Sequence, residues 1–260
     1  MIDAATGKGA RRATEAKGEN MSRAENSLGP EAVAFVKRAT EEAELAFRVF
    51  RETGTITANG TVGFVERIPG ESKFVAIHDP GPFERGKALV PRVFGFDGTA
   101  YLGEAGGGGQ GRYSKILEQH PDITTVSHVH SPYLGAWAQT QRTLPIRYVP
   151  VQRYLLSREI PVYLDRRQAE QDFILDRLQI DPHTPAILEA NGGATVWGKG
   201  GLRKTAECIL ILEEGARLQL LAESLGGSRD YGPGVLAQQF KMSGLTEQAR
   251  ALGFLPHAGH

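Results

Sequence analysis

The chain has 260 residues, 40% of them hydrophobic and 23% charged, a balance that fits a soluble globular protein and argues against wholesale disorder. Its formal net charge of +0 provides no broad basic field to attract nucleic acid or anionic lipid. The single cysteine, Cys208, excludes a disulfide framework and a Cys-rich zinc site. No apolar run approaches the roughly 18 residues that a bilayer span requires, and a cytoplasmic protein is expected.

Residues 1–29 are polar, rich in Gly and Ala and without periodicity, and they lack the apolar stretch of a secretory signal. They read as a disordered leader, followed by one domain over residues 30–260. From Glu31 to Thr53, Val33, Val36, Ala39, Ala43, Ala46, Phe47 and Phe50 recur at helical spacing, and Gly54 supplies a stop. Strands are expected over Thr61–Ile68, Lys73–His78, Arg92–Phe96 and Thr99–Leu102, with Pro69-Gly70 and Asp97-Gly98 as turns. The run from Gly106 to Gly109 reads as a mobile or tightly bent loop. A short helix over Tyr113–Gln119 stops at His120-Pro121, because the residue before proline avoids the helical region.

Next comes Thr124-Thr125-Val126-Ser127-His128-Val129-His130-Ser131-Pro132, a strand pattern ending in two histidines two residues apart. Side chains at i and i+2 of a strand share a face, so His128 and His130 converge where the chain leaves the sheet. Two neutral imidazoles so placed can chelate a divalent metal such as Zn, Fe or Mn. The alternative is a pair satisfied by backbone carbonyls.

A helix over Pro132–Gln139 follows, with proline in its first turn. Ile146–Val151 and Pro161–Leu164 read as strands, and Arg166–Leu178 as an amphipathic helix. Ala186–Leu188 and Ala194–Trp197 read as strands around Asn191-Gly192-Gly193. Leu202–Leu225 reads as a long helix, its apolar stripe including Ile209, Leu212 and Ala216, with Cys208 as a small core residue. A last helix is expected over Val235–Leu252. Together these elements predict a single α/β/α domain with a central mixed, mainly antiparallel sheet flanked by helices.

Several motifs occur in a telling order: Ala58-Asn59-Gly60-Thr61, Glu66-Arg67, a Pro80-Gly81 turn, the Gly-rich loop, His120-Pro121-Asp122, His128-Val129-His130-Ser131-Pro132, and Leu188-Glu189-Ala190-Asn191-Gly192. This series resembles the class II aldolase/adducin family over about residues 31–230. The resemblance implies a fuculose-phosphate-aldolase-like fold, a divalent metal, and a cyclic homotetramer with active sites between subunits. By this resemblance His128 and His130 bind the metal, and Asn59 and Gly81 contact substrate. Tyr231 resembles the family's C-terminal tyrosine that reaches a neighbouring subunit's site.

The departures from the family pattern are as informative. Asn191 stands where the family has a third histidine, and an amide oxygen is a poor ligand for Zn. The family's catalytic glutamate falls on Gly109, with Gln110 beside it, and its phosphate-binding serines fall on Gly107 and Gly108. Neither glycine nor glutamine transfers a proton. A sugar-phosphate aldolase therefore does not fit. Glu189, two residues before Asn191 on the same strand face, is the candidate to complete or steer the metal site, giving two histidines and a carboxylate. Glu189 and Asn191 are thus the catalytic candidates beside Tyr231. His78 and Asp79 are possible metal or substrate contacts, or simple surface residues. Arg112, Tyr113, Arg147 and Tyr148 flank the histidines; the arginines suit a substrate carboxylate and the aromatic walls a planar substrate. Tyr133 and Trp137, spaced i and i+4, fit core packing.

Three functions follow as expectations. The first is a metal-dependent lyase, decarboxylase- or aldolase-like, that cleaves a C–C bond in an unphosphorylated, carboxylated small molecule, aromatic ones included. The second is a non-haem Fe(II) oxygenase, similar to those of aminocoumarin biosynthesis that act on a prenylated hydroxyphenylpyruvate-like acid. The third is a non-catalytic adducin-like binding module. No nucleic-acid or membrane partner is expected.

Overall fold

The computed structural model describes residues 28–58, 61–103 and 111–256. The leader expected over 1–29 falls almost wholly outside these residues, as do Asn59, the glycines 106–109, Gln110, His257 and His260.

Helix α1 spans Pro30–Glu52, with proline in its first turn and Ala32, Val36, Ala39, Ala43, Phe47 and Phe50 buried along one stripe. Strands β1 (Val62–Arg67), β2 (Lys73–His78), β3 (Arg92–Gly95) and β4 (Ala100–Leu102) form an antiparallel meander. Helix α2 (Ser114–Gln119) leads into β5 (Thr125–Val129), and α3 (Pro132–Gln139) follows directly. A small pair, β6 (Leu144–Pro145) and β7 (Glu159–Ile160), brackets the short helix α4 (Val149–Gln152). Then come β8 (Val162–Tyr163), α5 (Glu170–Ile180), β9 (Ala186–Glu189), β10 (Ala194–Gly198) and the long α6 (Gly201–Ser224). Helices α7 (Val235–Ser243) and α8 (Thr246–Ala251) complete the order.

The main sheet has eight strands in the order β4-β3-β2-β1-β5-β10-β9-β8. Only β8–β9 is parallel, so the mixed, mainly antiparallel sheet read from the sequence is the one observed. Its two faces separate by strand alternation. One face (Phe64, Val75, Ile77, Val129, Leu188, Val196) packs under α1, α3 and α6, where Phe47 stacks on Phe64 with centroids 5.6 Å apart. The other (Val65, Phe74, Val126, Ile187, Trp197) packs against Ile116 and Leu117 of α2 and Ile174 and Leu178 of α5. Among the described residues no helix is long and apolar enough to cross a membrane.

Three expected elements differ. Ile146–Val151 alternates like a strand, yet Val149–Gln152 is helical: Pro150 has no N–H for a ladder and suits a first helical turn. Helix α5 starts four residues later than its apolar pattern predicts. Asp165 accepts the Arg167 backbone N–H at 3.0 Å and folds 165–168 into a turn. The expected helix over Val235–Leu252 is two, broken at Gly244, whose φ of 74° belongs to the left-handed region.

Two buried carboxylates tie helices to the sheet. Glu66 of β1 accepts the Leu202 backbone N–H at 2.9 Å and so caps α6, and burial pushes its carboxyl up to about 7. Glu213 of α6 accepts Ser131 Oγ at 2.7 Å and the backbone N–H groups of Tyr133 and Leu134 at 2.7 and 2.9 Å. It therefore caps α3 from another helix and fixes the turn that follows the two histidines. Its own carboxyl is raised, because burial outweighs those three hydrogen bonds.

Candidate metal centre

His128 lies on the α2/α5 face of β5, and His130 follows one residue beyond the strand end. Their rings approach to 4.8 Å between centroids at an interplanar angle of 69°, so the i, i+2 convergence expected from the sequence is realised. Antiparallel pairing places β10 beside β5, with Thr195 opposite His128. Glu189 is on the same face at the end of β9, and Glu170 enters from the first turn of α5. A carboxylate there is also favoured by the helix dipole.

These residues form one buried polar network. His128 Nδ1 meets Glu189 Oε1 at 2.6 Å and Thr195 Oγ1 at 3.2 Å. Thr195 Oγ1 also lies 2.5 Å from Glu170 Oε1 and 2.9 Å from Glu189 Oε1. Tyr113 donates its hydroxyl to Glu170 at 3.2 Å. Arg112 Nε donates to Glu170 Oε2 at 2.6 Å, and its amino group lies 3.4 Å from Glu189 Oε2. Arg166 binds Glu189 Oε2 at 3.1 Å and the Ala190 carbonyl at 3.1 Å. Two arginines thus balance two carboxylates.

The electrostatics follow from this arrangement. Burial alone would raise the Glu189 carboxyl, but the hydrogen bond and charge of His128, then Arg112 and Thr195, hold it well below the usual carboxylate range. Burial lowers the pKa of His130, and the neighbouring His128 imidazole lowers it further. Tyr113 is raised well above its usual value, first by burial and then by Glu170. One imidazole and two carboxylates, His128, Glu170 and Glu189, bring ligand atoms within 4.8 Å of one another.

The remaining sequence candidates divide clearly. Arg112, Tyr113 and Glu189 join the network. Asn191 does not: it is exposed in the β9–β10 turn at φ 57°, and its side-chain oxygen accepts Gln141 Nε2 at 2.9 Å. An asparagine tolerates this left-handed position, which accounts for it structurally. Arg147 donates to the Ser228 carbonyl at 2.6 Å, and Tyr231 donates to the Ile146 carbonyl at 3.3 Å beneath Arg158. Together with Tyr148, the N-cap of α4, these residues form a second group around residues 145–158 and 228–231, which shares no hydrogen bond with the histidine network among the described residues. Gly81 adopts φ 93°, and its N–H is accepted by Asp79 at 2.8 Å. Trp137 is buried and donates to the carbonyls of Arg142 and Thr143, as a core residue. Cys208 packs on the core, and burial pushes its thiol up to about 12.

The sequence reading missed Thr195, Glu170 and Arg166. Thr195 had a signal: it stands two residues before Trp197 on a strand, hence on a known face. Glu170 and Arg166 had none.

Residues 110–220 match the family model described as "Class II Aldolase and Adducin N-terminal domain". This chain has the class II aldolase/adducin fold. Solved structures agree, among them an L-fuculose 1-phosphate aldolase from Glaciozyma antarctica PI12, which is 19% identical with a TM-score of 0.63 over 88% of this chain and 93% of that one. An aldolase II superfamily protein from Pseudomonas syringae is 18% identical, with a TM-score of 0.62 over 88% and 94%. YgbL from Escherichia coli is 19% identical, with a TM-score of 0.61 over 80% and 98%. No curated protein sequence matches the chain. The resemblance to the class II aldolase/adducin family read from the sequence is thus borne out. At these identities the structural matches speak for the fold alone.

Proposed function

We propose that this class II aldolase/adducin-fold protein is a metal-dependent lyase that breaks a C–C bond in a small, unphosphorylated, carboxylated molecule, with decarboxylation as the favoured reaction. The observation that carries this reading is the imidazole pair at 4.8 Å with His128 Nδ1 anchored on Glu189. A histidine that donates Nδ1–H to a carboxylate keeps its Nε2 lone pair for a metal, the usual outer support of a metal-bound imidazole. The donor set therefore fits a divalent ion such as Zn, Fe or Mn held by His128 and His130. Once bound, such an ion supplies Lewis acidity and lowers the cost of negative charge developing on a substrate oxygen.

The chain's own residues define the rest. Arg112 and Arg166 stand partly exposed at 39% and 52% beside the network, so their outer N–H groups are available to a substrate carboxylate. The Glu189 carboxyl, paired with His128 and with Arg112 and Arg166, is held below the usual carboxylate range and is a weak proton acceptor. Loss of CO₂ needs no prior removal of a proton, whereas aldol cleavage does, and this favours decarboxylation.

A 2-His-1-carboxylate iron site of His128, His130 and Glu189 is the competing reading, favoured by the position of Glu189 beside His128. Its weakness is that Glu189 already serves two arginines. Metal analysis of the purified protein, followed by chelation, tests both. The expected results are about one equivalent of metal per chain and loss of turnover on chelation, restored by Zn or Mn without oxygen. Less than about one-tenth equivalent, with no metal-stimulated turnover, would remove the lyase reading. Oxygen uptake dependent on Fe(II) would establish the iron reading instead.

A homotetramer is part of the same proposal. An apolar cleft of about 480 Å³ between α4 and α6 is lined by Val151, Leu155, Leu210 and Ile211 beside the exposed Tyr154. Apolar and aromatic surface of this kind suits a subunit contact, and Arg158 and Tyr231 lie on the adjoining segment. Sedimentation at about micromolar protein is expected to report a tetramer, since an obligate interface holds well below that concentration. A fully active monomer would reject it.

A further inference from the structure

The geometry points to His78 as a third imidazole of the metal centre, one that a turn of its ring from its place over Gly63 would bring to His128 and His130. This rests on the metal-dependent reading above and adds a ligand from a different strand. Its basis is the strand order β2-β1-β5, in which Gly63 of β1 pairs with His78 on one side and with His128 on the other. Directly paired residues share a face, so His78, Gly63 and His128 form one row across the sheet. The middle member has no side chain.

The His78 ring occupies the space that glycine leaves. A Cβ on Gly63 would meet His78 Cδ2 at 2.4 Å and Nε2 at 2.8 Å, so one edge of the imidazole lies over β1 at Gly63. The Cβ positions of directly paired residues are about 5 Å apart, which puts His78 Nε2 within about 8 Å of His128 Cβ. Burial lowers the His78 imidazole pKa, and Arg92 and then His128 lower it further, although the residue is exposed overall. His128 turns its Nδ1 edge the other way, toward Thr195 and Glu189 on β10 and β9. With Nδ1 engaged there, Nε2 is the ring nitrogen left to a metal.

Competing donors are less suitable. The Oε1 atoms of Glu170 and Glu189, which no arginine contacts, are engaged by Thr195, and by Tyr113 and His128 respectively, so a metal would have to displace those bonds in a buried network. His78 gives up nothing comparable, and an exposed imidazole turns about χ1 and χ2 at small cost. Gly63 has no positive φ to explain it, so the close approach of His78 is what a side chain there would disturb.

The test uses the full chain, stripped of metal and titrated with Co(II) and with Zn(II) against a chromophoric chelator. Wild type, His78→Ala, His78→Gln, Gly63→Ala and His128→Ala are compared, with far-UV circular dichroism as the control for folding. The expected result is that His78→Ala and His78→Gln weaken binding by at least about 100-fold, beyond the 10–100-fold typical of an outer-sphere partner. The Co(II) d–d spectrum should shift as well, and Gly63→Ala, which displaces the ring without removing it, should follow in the same direction. If both His78 variants bind with wild-type affinity and spectrum while His128→Ala does not bind, the third-ligand assignment is wrong and the metal reading stands. If wild type itself takes up neither ion, both fall.

Discussion

Glu189→Gln is expected to lower stability by about 1–3 kcal/mol and to weaken metal binding about 10–100-fold. The carboxylate is 3% exposed and serves His128 at 2.6 Å, Arg166 at 3.1 Å and Thr195 at 2.9 Å. Removing one partner of a fully buried pair costs about 3–5 kcal/mol, but both arginines reach solvent and recover part of that. For a chain of this size the loss corresponds to a fall in Tm of about 3–10 °C. The pH dependence gives an independent check. The Glu189 carboxyl is held below its ordinary 4.5, so its contribution is complete above about pH 4.5 and is lost as pH falls through the lowered value. Thermal melts from pH 7 down to pH 3 should therefore show a shallower acid decline in the variant than in wild type. Unchanged Tm, unchanged acid limb and unchanged metal affinity together would mean that Glu189 does not support His128.

Gly193→Ala is expected to be the more damaging change. Gly193 precedes β10 where that strand meets the end of β5, and an added Cβ would stand 2.1 Å from the Val129 carbonyl oxygen and 2.7 Å from His130 Cδ2. The first obstacle is backbone and cannot rotate away, so β5 and β10 would have to separate at their junction. A loss of about 3 kcal/mol or more is expected, read as a large fall in Tm or as insoluble protein. Whatever fraction folds should bind metal poorly, because the second obstacle is a proposed ligand. Gly192→Ala is the control. Its added Cβ would meet Arg166, Glu189 O and Glu189 Cβ at 3.3–3.4 Å, so a cost of about 1 kcal/mol or less is expected. Equal Tm values for the two variants would show that the close approach at Gly193 does not constrain the strands.

Both residues depend on pairing that only partly shows in the chain. The alternation Val126, His128, His130 was legible because a strand repeats every two residues, and no other geometry brings those two imidazoles to one face. Glu189 was legible by the same rule, applied two residues before Asn191. The helices α1, α3 and α6 were legible because their apolar stripes are long and bounded by proline or glycine. Where the pattern was short or broken by a backbone effect, as at Pro150 and Gly244, local periodicity misled.

The sequence by itself thus determined the fold class, the pair of histidines and the carboxylate that faces them, since each rests on near-neighbour periodicity. It also singled out Asn191, but not its place in the β9–β10 turn, which uses it for a left-handed position. Tertiary structure alone decided the company those histidines keep. Thr195 joins them because β10 pairs with β5 across more than 60 residues, and Glu170 because the first turn of α5 ends over that face. His78 lies in line with His128 because β1 inserts between their strands and offers a glycine there. These contacts join distant parts of the chain, and strand order is set by which apolar faces bury together, a property no local window of residues carries.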